Sequence, residues 1–99
     1  MTFIVVVKEG PHGIIIVVTD KDIMGEKFSE GKLKLDLREK FYEGEEMELE
    51  EVVELLKSGS VFHLTGKEAV SLGIKIDLID PKRVLVVNHV PHAEAVLGY

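Results

Sequence analysis

No cysteine occurs among the 99 residues, which removes disulfides, thiolate zinc sites and cysteine nucleophiles from consideration. Long apolar runs are missing too. Those that begin at Phe3 and Ile14 end at Lys8 and Thr19, too short to cross a bilayer or serve as a signal peptide. No membrane partner is expected, and a soluble cytoplasmic protein is. Glutamine is absent and asparagine occurs once, while lysine and glutamate are plentiful; scarce thermolabile residues beside dense charge point to a thermophilic source. An excess of positive charge is also lacking. The formal charge of −6 argues against non-specific nucleic-acid binding, which depends on neutralising phosphates. It leaves room for a local basic stripe that meets RNA. No Ser/His/Asp order, His-Glu-x-x-His helix or paired-carboxylate motif stands out. Catalysis stays open, because active-site residues meet in three dimensions.

What is present suits one domain spanning 1–99, with 45% hydrophobic residues for a single modest core. Phe3 to Lys8 and Ile14 to Thr19 are β-branched runs around Glu-Gly-Pro-His-Gly, the pattern of a β-hairpin. Both runs are apolar on both faces, so they are expected as central strands covered on two sides or paired at an interface. Thr19, Asp20 and Asp22 offer caps for one short helical turn ended by Gly25. From Lys32 to Arg38 the alternation is strict: Leu33, Leu35 and Leu37 face one way, Lys32, Lys34, Asp36 and Arg38 the other. Glu43-Gly-Glu-Glu-Met leads into a helix expected over 48–58, with Leu49, Val52, Val53 and Leu56 at helical spacing. Its many glutamates complement the positive end of the helix dipole.

Val61 to Leu64 reads as a strand, and Thr65-Gly-Lys-Glu68 as a capping box that opens a second helix over 66–76. A rival reading stops that helix at Gly73 and makes Ile74, Ile76 and Leu78 a strand. Val84 to Val87 is the last clear strand, and Pro91 opens a short terminal helix or holds an extended tail. The expected fold is α+β in two layers: a mixed sheet of about five strands near 3–8, 14–19, 32–37, 61–64 and 84–87, packed against two main helices.

Three chemistries compete. His89, His92 and Glu94 supply two imidazoles and a carboxylate, suited to zinc or nickel with positions left for water. Lys32, Lys34 and Arg38, with Lys27 and Lys40 nearby, could meet phosphates, with Phe41 and Tyr42 stacking on bases; Asp36 and Glu39 interrupt that stripe and fit an ordinary solvated face. The Gly25 to Lys32 segment superficially resembles a phosphate loop, but five residues separate its glycines and Leu33 stands where a hydroxyl is needed.

A family resemblance runs through the same residues. Met24-Gly-Glu-Lys-Phe-Ser-Glu-Gly-Lys-Leu-Lys-Leu35, Phe41-Tyr42-x-Gly44, the Glu-rich helix, Leu64-Thr65-Gly66 with Ala69-Val70, and Val90-Pro91-His92-Ala93 resemble the small archaeal family catalogued as domain of unknown function 424. The resemblance covers residues 23 to 94. It implies an archaeal, cytoplasmic source, a mixed α+β fold, the longer second helix and an association with the translation machinery. Asn88-His89 stands where that family has a glycine-rich pair and Glu94 where it has an amide, so the metal trio falls partly outside the pattern.

Three functions follow as expectations. The first is a non-enzymatic binding module, RNA- or ribosome-associated, that uses Lys27, Lys32, Lys34, Arg38, Tyr42 and His92. The second is a small metal protein or enzyme built around His92. The third is a homodimeric assembly partner that joins through Val5 and Ile15.

Overall fold

The computed structural model describes residues 1–97. The two β-branched runs become β1 (Thr2–Gly10) and β2 (Gly13–Asp20), antiparallel from Phe3 opposite Asp20 to Gly10 opposite Gly13. The hairpin β3 (Lys27–Glu30) and β4 (Leu33–Asp36) follows, turning at Gly31, whose φ of 60° suits a residue without a Cβ. Then come β5 (Glu45–Glu48), α1 (Leu49–Leu56), β6 (Val61–Thr65), α2 (Lys67–Lys75), β7 (Leu85–Val87) and β8 (Val90–Val96). Six strands form one sheet in the order β5-β1-β2-β6-β8-β7, and β3-β4 form a sheet of their own. Only the β2–β6 pair of the large sheet is parallel.

Strand alternation divides the large sheet into two faces. On one, Phe3, Val5, Ile16, Val18, Phe62, Leu64 and Ala93 pack with Val52 and Leu56 of α1 and Ala69 and Val70 of α2. Each large apolar side chain fully buried there stabilises by roughly 1.5–3 kcal/mol relative to exposure. On the other face, Leu35 and Leu37 pack with Val87 and Val90, bordered by Ile23, Phe28 and Tyr42. Val17, which points away from the helices, is as fully buried as Ile16. The hairpin is therefore apolar on both sides because both sides are covered over most of its length, Val7 toward the turn being 49% exposed.

The α+β class, the leading hairpin and the two helices are as the sequence implies, and α2 runs through Lys75 without the rival strand. Several details differ. The alternating stretch at 32–37 is not in the large sheet: β4 pairs only with β3, Leu35 and Leu37 roof the second core, and Leu33 at the turn stays exposed. Glu45–Glu48 leads into the helix as expected, with Glu48 as the N-cap of α1, but it does so as an edge strand on β1. Its acidic side chains suit an edge, where charge discourages pairing with another chain. The segment after Asn88 is β8, neither helix nor tail. Pro91 fits because pairing with β6 begins one residue later, at His92, so its missing N–H leaves no bond of that ladder unmade.

The expected capping box also gives way. Gly66, not Thr65, is the N-cap of α2. The backbone N–H groups of Glu68 and Ala69 donate to Asp20 Oδ2 and Oδ1 at 2.9 and 2.8 Å. Asp20 arrives at the end of β2, beside the end of β6, so the parallel pair itself delivers the cap. That frees the Thr65 hydroxyl for another partner.

Candidate metal centre

The partner is His92. In the β6–β8 pairing, Thr65 stands opposite His92 and His63 opposite Glu94. Residues at i and i+2 share a face, so all four side chains meet on the face away from the helices. Glu94 Oε2 lies 3.0 Å from His92 Nε2 and 3.5 Å from His63 Nδ1. One donor atom from each of His63, His92 and Glu94 can be chosen so that all lie within 4.8 Å of one another. Ligands about 2.0–2.1 Å from a tetrahedral zinc ion stand about 3.3 Å apart, close to the 3.0 and 3.5 Å that separate Glu94 from the two imidazoles.

Burial grades the site. The His92 and His63 side chains are 12% and 21% exposed, that of Glu94 57%. The imidazoles thus form the floor and the carboxylate the mouth. Phe41 sets its ring edge-on to His63 at 5.2 Å, and the Lys8 ammonium lies over Phe41 at 4.9 Å. Thr65 Oγ1 is 2.8 Å from His92 Nδ1 and holds the ring from behind. Such an outer partner fixes tautomer and orientation, as metal-ligating histidines require.

The electrostatics agree with this geometry. The hydrogen bond from His92 holds the Glu94 carboxyl below its ordinary range, and the charges of His63 and His92 add to it. Burial pushes the Tyr42 phenol up, and the nearby carboxylates Glu39, Glu94 and Asp36 push the same way.

Hydroxyl, imidazole and carboxylate also stand here in the order Thr65, His92, Glu94, as in a nucleophilic triad. That chemistry is closed to this arrangement. Thr65 has no exposed surface, so its hydroxyl cannot reach a substrate, and its role is to position His92.

The structure joins His92 and Glu94 but leaves His89 out. His89 occupies the β7–β8 turn with φ 70°, next to Asn88 at φ 47°. It lines a separate cleft of about 290 Å³ with Asp22, Lys67 and Pro91. The third member is His63, which sequence reasoning passed over. Its signal was the strand Val-Phe-His-Leu, where His63 points opposite to Phe62 and Leu64, but only the register with β8 puts it against Glu94.

The basic residues lie elsewhere, on the β3–β4 hairpin and after it. Lys27, Lys32, Lys34 and Arg38 are exposed. Arg38 is engaged by its neighbour: its Nε and Nη2 donate to Asp36 Oδ1 and Oδ2, each at 2.7 Å. That fork pulls the Asp36 carboxyl down to about 2. Tyr42 is half-buried and packs against the second core.

Comparison with known proteins now has a fold and a site to refer to. The family described as "Protein of unknown function (DUF424)" matches residues 7–97. The chain belongs to this family. The match takes in most of the first hairpin as well as the motifs from Met24 to Ala93. The crystal structure of an uncharacterized conserved protein from Methanopyrus kandleri shares the fold at a TM-score of 0.78, over 98% of this chain and 92% of that one. At 17% identity, that likeness speaks for the fold alone. No curated protein matches the chain. Neither DUF424 nor this neighbour carries an activity in its description, so the functional reading rests on the residues of this chain.

Proposed function

We propose that the protein binds a divalent transition-metal ion through His63, His92 and Glu94. The carrying observation is the convergence of two imidazoles and a carboxylate, their donor atoms within 4.8 Å, on adjacent strands of a rigid sheet. Imidazole with carboxylate suits zinc, nickel and ferrous iron. Three protein ligands leave at least one position for water or an outside ligand, as in reactive rather than structural sites.

The other readings have less support. For RNA, Arg38 already spends both arms of its fork on Asp36, and Lys27 stands opposite Asp36 across the hairpin. Lys32, Lys34 and Lys40 then have to carry phosphate binding in a chain of charge −6. For a homodimer through the first hairpin, Val5 is 3% exposed and faces the helices, so the contact would fall to the half-buried Ile15 and the exposed Val7.

The test is calorimetric titration of the metal-free full-length chain with zinc and nickel at neutral pH. Saturable uptake of one ion is expected, lost in His63→Ala and His92→Ala and kept in His89→Ala. A wild-type chain that takes up neither ion, nor ferrous iron under anaerobic conditions, removes the proposal.

A further inference from the structure

The cleft beyond the end of β7 carries a second deduction, which rests on the metal reading. β7 pairs with β8 from Val87 opposite Val90 only as far as Leu85 opposite His92. Just before Leu85 the chain runs through a 3-10 turn, Pro81–Arg83, with Asp80 as its N-cap. β7 therefore leaves the edge of β8 past His92 uncovered. A cleft of about 460 Å³ lies there, lined by Asp80, Arg83 and Glu94 together with the apolar Leu78, Ile79 and Val96. Glu94 belongs to both places: it is the exposed mouth of the metal trio and a wall of this cleft. A molecule in the cleft borders the trio through Glu94.

The charged groups of the cleft are not equally engaged. Asp80 Oδ1 accepts from the Lys82 N–H at 2.9 Å and so caps the turn. Arg83 is exposed, and among the described residues its guanidinium pairs with no carboxylate. Arginine stays charged at any working pH, and its planar fork matches a carboxylate. Asp80 and Glu94 against Arg83 leave the cleft one net negative charge. A divalent ion on the trio turns that into one net positive charge, so an anion is favoured only once the ion is in place. The apolar lining selects further: it favours an anion with an apolar body over a bare inorganic one.

We propose that the metal-loaded cleft binds a small organic acid, with Arg83 holding its carboxylate and Leu78, Ile79 and Val96 against its apolar body. The position that the three protein ligands leave open on the ion is then available to a second donor atom of that molecule. Ion and acid bind cooperatively, and the coupling is reciprocal: the acid tightens the ion by the factor with which the ion tightens the acid.

The experiment is calorimetric titration of the full-length chain with hexanoate, acetate and sulfate at neutral pH, with and without saturating zinc. Hexanoate is expected to bind the zinc-loaded chain more tightly than acetate or sulfate do, and more tightly than it binds the zinc-free chain. Arg83→Ala should still take up zinc, yet weaken hexanoate binding by about tenfold or more, the scale of a lost charge-assisted hydrogen bond. Arg83→Lys should recover only part, since an ammonium lacks the fork. Hexanoate should raise zinc affinity in the wild type and do so far less in Arg83→Ala. The proposal is overturned by hexanoate binding that ignores zinc, or by Arg83→Ala binding within about twofold of wild type. Sulfate bound more tightly than hexanoate overturns the organic acid. Each of these results leaves the metal site standing, whereas a wild-type chain that takes up no zinc overturns both.

Discussion

Asp20 does for α2 what Thr65 was expected to do, and its chemistry is correspondingly less comfortable. Burial pushes its carboxyl above the ordinary 3.8, helped by the charges of Asp22 and Glu68 and opposed by the two amide hydrogen bonds from Glu68 and Ala69. Removing the cap with Asp20→Ala should cost about 0.5–2 kcal/mol in urea unfolding, whereas Asp20→Asn keeps an acceptor and costs less. The pH dependence has a definite sign. An acid whose folded pKa is raised holds its proton more tightly when folded. Its contribution is therefore fully present below 3.8 and is lost as pH rises through the raised value. Wild-type stability measured against Asp20→Asn should fall from acid toward neutral pH. A difference that rises over that range would mean the two amide bonds outweigh burial. The same residue ties the cap to the metal centre: by relieving Thr65 of capping, Asp20 leaves that hydroxyl for His92.

Among the elements, the first hairpin gives the sharpest test. Ile16 is fully buried between the sheet and the helices. Ile16→Asp places an unpaired carboxylate there, at a cost on the order of 4 kcal/mol, a large part of a small domain's stability. A lowered thermal midpoint with an unchanged solution mass is expected; a changed mass at an unchanged midpoint would make this face an interface after all. The hairpin was legible because its β-branched runs and Gly-Pro turn agree on one structure. The helices were legible for the same kind of reason, the spacing of Val52 and Leu56 in α1 and of Ala69 and Val70 in α2. What escaped was set by partners distant in sequence. Glu45–Glu48 has no strand-like composition and becomes β5 only because β1 offers it an edge. The Lys32–Arg38 alternation was read correctly as a strand but not as a roof, since two cores cannot be told from one by periodicity. Two members of the metal trio were visible through the closeness of His92 and Glu94 in the chain. His63 lies 29 residues before His92 and meets it only through the β6–β8 register.

For the molecule as a whole, charge is unevenly distributed: β5 and α1 carry glutamates along one edge, and the β3–β4 hairpin carries exposed lysines. If those lysines contact RNA, affinity must come from phosphate neutralisation and must fall steeply with salt, because each contact releases counterions. Lys27→Glu/Lys32→Glu/Lys34→Glu is the discriminating variant. All three side chains are solvent-exposed, so the thermal midpoint should barely move, and Leu35 and Leu37 beneath them keep their packing. Arg38 is left alone, since replacing it would break its fork with Asp36 and mix a local structural effect into the result. With the metal reading, zinc affinity is expected to be the same in the triple variant as in wild type, because the hairpin lysines supply no ligand to His63, His92 or Glu94. RNA recovered with the wild-type chain from lysate should be slight and insensitive to the change. Salt-sensitive RNA recovery that disappears in the triple variant, at unaltered zinc affinity, would instead make the hairpin a second working surface, independent of the site on the sheet.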